Sequence, residues 1–141
     1  MSNEKNSEPP TSSEIKLNLE KAKKKILSAE LLYEKQFYDD SASRSYYAIL
    51  HAIVACLRWK GVNLEQHKHN YIINQFRTHF IDTGLFPVSI HGKVMNIKSG
   101  REQADYSNKI FLSKEDTQLI LEDARQIVDM IKEFLSLKQT K

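Results

Sequence analysis

A single cysteine, Cys56, is too few for a disulfide within the chain. It lies in the apolar run Ile53-Val54-Ala55-Cys56-Leu57. That setting reads as a small buried hydrophobe in a reducing compartment. A nucleophilic thiol would need exposure and a basic neighbourhood, which this run lacks. Glycine and proline are also scarce, at four and three residues. Gly61, Gly84, Gly92 and Gly100 all fall mid-chain, leaving long stretches without a breaker, which point to long helices. No useful alternating apolar pattern marks a strand. No apolar run approaches the roughly 20 residues that cross a bilayer. The N-terminus lacks the make-up of a signal peptide. A cytoplasmic, non-membrane protein is the expectation. There is no phosphate-cradling glycine loop, no nucleophile elbow and no paired-cysteine metal motif.

What is present fits a soluble globular domain. Of 141 residues, 40% are hydrophobic and 28% charged, enough for one hydrophobic core. Residues 1–11 carry no apolar periodicity and read as a disordered tail, with a single domain over 12–138. The formal charge of +3 is modest, but its distribution is uneven. The span Arg58–Arg101 holds seven Lys or Arg against Glu65 and Asp82. Such a basic middle either attracts phosphate or forms part of a mixed solvated surface.

Apolar spacing predicts five helices. Thr11-Ser12-Ser13-Glu14 has the form of a capping box before a helix from about Ser13 to Lys35. Its stripe is Ile15, Leu19, Ala22, Ile26, Ala29, Leu32 and Tyr33. A second helix runs from about Asp40 to Lys60, with Asp39 or Asp40 as its cap and Gly61 as its stop. A third spans His69 to Thr83, ending at Gly84. A fourth spans Val88 to Tyr106, where Gly92 and Gly100 allow a kink or a broken start. A fifth opens at Ser113 and reaches about Leu137, with a stripe of Leu119, Ile120, Ala124, Ile127, Val128, Ile131 and Leu135. Short connections make this all-α, an up-and-down four-helix bundle with an additional shorter helix.

Two polar clusters stand out. Arg44 and His51 are seven apart, about 20° short of two helical turns, so they share a face. The planar fork of Arg matches two phosphate oxygens, and His shuttles protons near neutrality. The pair can bind and cleave a phosphodiester. From spacing alone the favoured reading is structural, with Arg44 held by an acid and His51 a satisfied core imidazole. Arg101 and Asp105 are four apart and can pair on one turn. Asp105 then orients either Arg101 or, across the bundle, Arg44. This cluster reads as a structural ion-pair network or as part of a site. His67 and His69 lack a third ligand at recognised spacing, so no metal is assigned. Nothing calls for a cofactor.

The order of these pieces resembles the HEPN-domain superfamily, in its small prokaryotic branch. Ser43-Arg44-Ser45-Tyr46-Tyr47-Ala48-Ile49-Leu50-His51-Ala52 is similar to the Arg-x-Tyr-Tyr-Ala-x-x-His-Ala signature of that branch. His69 opening a helix, Phe80 with Thr83-Gly84-Leu85, and Arg101-x-x-Ala104-Asp105-Tyr106 follow in the family's order. The resemblance covers about Ile15 to Leu135. It implies an HEPN-like helical bundle, often a homodimer, commonly paired with a minimal nucleotidyltransferase in a toxin–antitoxin-type pair. It implies either a nucleotide- or RNA-phosphate-binding module or a metal-independent endoribonuclease toxin. In the ribonuclease chemistry an Arg and a His with four to six residues between them act together: the His deprotonates a ribose 2′-hydroxyl and the Arg stabilises the phosphorane. Arg44 and His51 meet that spacing. Arg101 and Tyr106 hold the family's usual position, with Tyr in place of His. The candidates are therefore Arg44, His51 and Arg101 for catalysis, with Tyr47, His69, Asp105 and Tyr106 binding or orienting. A purely structural interaction protein is the remaining alternative.

Overall fold

The computed structural model describes residues 12–65, 68–106 and 112–139. The expected tail lies outside them, as do Thr11 of the capping box, His67 and the side chain of Tyr106. The described residues form α1 (Ser12–Glu34), α2 (Tyr38–Lys60), α3 (His69–Phe76, continued by a π turn over Arg77–Ile81), α4 (Val88–Tyr106) and α5 (Lys114–Gln139). They contain no strand, and the all-α expectation holds. Helices α1, α2, α4 and α5 make the bundle, and α3 is the shorter extra helix. Among the described residues, no helix is long and apolar enough to cross a membrane.

Helix α2 is the central element, because it touches each of the other four helices. Small side chains make this possible. Ala42, Ala48, Ala52 and Ala55 on α2 are fully buried, as are Ala22 and Ala29 on α1. Ser41 seals the α1–α2 contact by donating its hydroxyl to the Ala29 carbonyl at 2.7 Å. Gly61 stops α2 in the left-handed conformation, φ 84°, where a side chain would be strained. Its N–H and that of Val62 return to the Arg58 and Leu57 carbonyls.

The third helix departs from the expected regular course. Over Arg77–Ile81 it widens into a π turn, and the Asp82 N–H reaches the Arg77 carbonyl. The chain then turns at Gly84, φ 82°. Phe76, Phe80 and Phe86 stack here under Trp59 and Phe134. Helix α4 runs unbroken through both of its glycines. At Gly100 the lack of a side chain lets α5 approach, since a Cβ there would stand 2.5 Å from Ile120 Cδ1.

Two local expectations are corrected and one holds. Asp39 and Asp40 lie inside the first turn of α2, behind Phe37, and neither caps it by a side-chain bond. Asp39 instead accepts the Leu112 N–H at 3.0 Å, tying the start of α2 to the approach of α5. Ser113 does cap α5, accepting the Asp116 N–H at 3.0 Å. On α5, Leu119 is 61% exposed, whereas Leu121 is 2% exposed and belongs to the core. The stripe from Ile120 to Leu135 is centred roughly 70° from Leu121 but roughly 130° from Leu119, at about 100° per residue.

Candidate phosphate-binding site

Helix α4 presents a charged face that helical spacing dictates. Lys98, Arg101, Glu102 and Asp105 recur at intervals of three and four residues. Lys98 Nζ lies 2.6 Å from Glu102 Oε2, and Arg101 Nε lies 2.9 Å from Asp105 Oδ2. Asp105 thus orients Arg101, on its own helix. The Arg101 guanidinium crosses to α2, where Nη2 donates to the Tyr47 hydroxyl at 3.1 Å. It also lies over the Tyr46 and Tyr47 rings, 5.5 and 5.7 Å from their centroids. Its side chain is only 20% exposed, so its field is less screened than that of a surface Arg.

The same two tyrosines receive His69 from the start of α3. Its ring lies 5.5 Å from Tyr46 and 5.7 Å from Tyr47. Tyr46 is buried, and burial pushes its hydroxyl up to about 12 despite the opposing pull of Arg101. It is a wall and not a base. His69 is held below the usual imidazole range, first by burial and then by Arg101 and Lys98. An open depression of about 380 Å³ results, lined by Tyr46, Lys68, His69, Asn70, Tyr71, Lys98, Arg101 and Glu102. Tyr71 is anchored through its hydroxyl, which donates to the Asn63 carbonyl at 2.8 Å.

Of the residues singled out from the sequence, Arg101, Tyr47, His69 and Asp105 come together. Arg44 and His51 do not join them. Arg44 is exposed and lines no part of the depression. His51 is half-buried on the α1 side of α2, where burial and then Lys21 and Lys25 lower its pKa. By helical spacing the two share a face of α2 that Tyr47 flanks, while Tyr46 points to the other side. Lys68, Lys98 and Tyr71 were missed as site residues. For Lys98 the signal was its spacing to Arg101 and Glu102. For Lys68 and Tyr71 only their proximity to His69 in the chain was available. A larger groove of about 470 Å³ between α1 and α5 contains none of these residues.

A model of the HEPN domain matches residues 15–134. The chain belongs to the HEPN domain family. A Methanocaldococcus jannaschii protein named "Putative toxin" is 30% identical over 89% of this chain and 84% of its own. A UPF0332 protein of Gloeobacter violaceus is 27% identical over 84% of this chain and 93% of its own. A UPF0332 protein of Pyrococcus horikoshii is 35% identical over 51% and 49%.

The two lowered imidazoles of this HEPN chain make its stability depend on pH. Both His51 and His69 take up a proton less readily folded than unfolded. Their contribution is complete above the ordinary value of about 6.5 and is lost as pH falls through the lower folded values. Melting temperatures near pH 7.5 and near pH 5 are expected to differ, with the acid value lower. The gap should narrow in the His51→Gln/His69→Gln double variant, and an unchanged gap would remove these two groups as its source.

Proposed function

We propose that this HEPN protein binds RNA or a nucleotide by its phosphates in the Arg101–Tyr46–His69 depression. The observation that carries the reading is Arg101 itself. Its guanidinium is oriented by Asp105, supported on two tyrosine faces and placed beside His69, with Lys68 and Lys98 on the same open surface. An Arg positioned in this way suits the planar recognition of phosphate oxygens. The half-buried Tyr71 offers an aromatic ring near the bound phosphate. The resemblance noted above and the name of the archaeal relative favour a role in a toxin–antitoxin-type pair, in the cytoplasm, as a homodimer partnered by a minimal nucleotidyltransferase.

A second reading, metal-independent cleavage of RNA at the same place, is favoured by one specific feature. The imidazole of His69 stands on the same two rings as Arg101. Labelled single-stranded RNA incubated with the protein in excess chelator separates the readings. Binding without cleavage supports the module, and cleavage supports the nuclease. Absence of both, at low ionic strength where phosphate contacts are strongest, contradicts the site.

A further inference from the structure

We propose that His69, rather than His51, accepts the ribose 2′-hydroxyl proton when RNA is cleaved in this depression. The inference rests on the RNA-cleavage reading above and goes beyond it by assigning the base. Its ground is placement. His69 and the Arg101 guanidinium stand against the same two rings, Tyr46 and Tyr47, each at 5.5 and 5.7 Å. Both line one open depression. Phosphodiester cleavage needs this combination, an acceptor for the attacking hydroxyl's proton and a cation for the phosphorane. His51 has no such surroundings, since Lys21 and Lys25 of α1 are the cations that act on it.

The groups facing His69 are Arg101 and Lys98 from α4 and the Tyr46 and Tyr47 rings from α2, with Lys68 next to it in the chain. Burial and the two α4 cations favour the neutral ring, so a nitrogen lone pair is available at neutral pH. In the step itself the O2′–H proton passes to His69 while the O2′–P bond forms and the P–O5′ bond breaks. The leaving O5′ takes a proton from water, and the resulting hydroxide collects the proton from the imidazolium. The products are a 2′,3′-cyclic phosphate and a 5′-hydroxyl.

The test uses the full chain, labelled single-stranded RNA and excess chelator. It measures cleavage rate and RNA affinity together for wild type, His69→Ala, His69→Gln and His51→Ala. Wild type is expected to leave 2′,3′-cyclic phosphate ends. Both His69 variants are expected to lose about 10²- to 10⁴-fold in rate, far more than they lose in RNA affinity. Added imidazole should restore part of the His69→Ala rate, which a merely structural His69 would not permit. His69→Gln keeps a polar planar side chain against the tyrosines and carries the test if His69→Ala melts early. Near-normal cleavage by the His69 variants overturns the assignment, as does loss in His51→Ala with cleavage retained in His69→Ala. Wild type that binds RNA without cleaving it overturns the role of His69 and leaves the binding reading standing. Wild type that does neither overturns both.

Discussion

Replacing Arg101 with alanine is expected to weaken RNA binding by about 10- to 100-fold, the worth of one or two charge-assisted hydrogen bonds to phosphate. If the RNA is cleaved, the rate should fall by about 10²- to 10³-fold, as it does when a preorganised stabiliser of developing charge is removed. The effect is large because Arg101 is not a freely moving surface cation. Asp105 fixes its Nε side at 2.9 Å, and the Tyr47 hydroxyl accepts from Nη2 at 3.1 Å. Its guanidinium also rests 5.5 and 5.7 Å from the Tyr46 and Tyr47 ring centroids. Arg101→Lys keeps the charge but loses the fork and the stacking, so it should recover only a small part of the affinity. Titration of fluorescent single-stranded RNA at two salt concentrations checks both variants. The Arg101→Ala line should also show a shallower salt dependence. Unchanged affinity in Arg101→Ala would place the RNA elsewhere.

The second large effect concerns the fold. Phe80→Ala is expected to remove about 3–5 kcal/mol of stability, a sizeable share of what a domain of this size possesses. Phe80 is completely buried. It stacks on Phe76 and Phe86, both at 5.5 Å, and meets Phe134 edge-on at 5.9 Å. Its loss leaves a cavity where the π turn, the start of α4 and the end of α5 meet, and ring stacking gives those walls little freedom to collapse. Urea unfolding followed by circular dichroism measures the loss. At temperatures where the variant is still folded, RNA affinity should be near normal, because Phe80 does not line the depression. A loss below about 1 kcal/mol would contradict the packing described.

The contrast between these two residues shows what was legible in the sequence. Phe80 belongs to a pattern of local period, and periodicity reports burial well: Ile72, Ile73, Phe76 and Phe80 at helical spacing are all core. Gly61, Gly84 and Ser113 were equally readable, because a left-handed turn or an uncapped helix end asks for a particular residue. Arg101 and Asp105 were readable as a pair for the same reason, being neighbours on one turn. The meeting of Arg101 with Tyr47, 54 residues earlier, was not, because helical spacing says nothing about which faces of two helices are opposed. The same gap explains Arg44 and His51. Spacing puts the two on one side of α2, but it says nothing of His51 lying near Lys21 and Lys25 of α1, apart from the Arg101 depression. Asp39 shows the limit most simply. A carboxylate near a helix start reads as a cap, yet its oxygen was taken by Leu112, 73 residues away.

The function of this HEPN chain turns on which face meets RNA, and one measurement answers that directly. Amide and side-chain resonances of the isotopically labelled protein can be followed by NMR while a short single-stranded RNA is added in chelator. The account predicts that Lys68, His69, Tyr71, Lys98 and Arg101 shift together and saturate at one affinity, while Lys21, Lys25, Arg44 and His51 stay in place. Shifts confined to the Arg44–His51 face and α1, with the Arg101 depression silent, would contradict it.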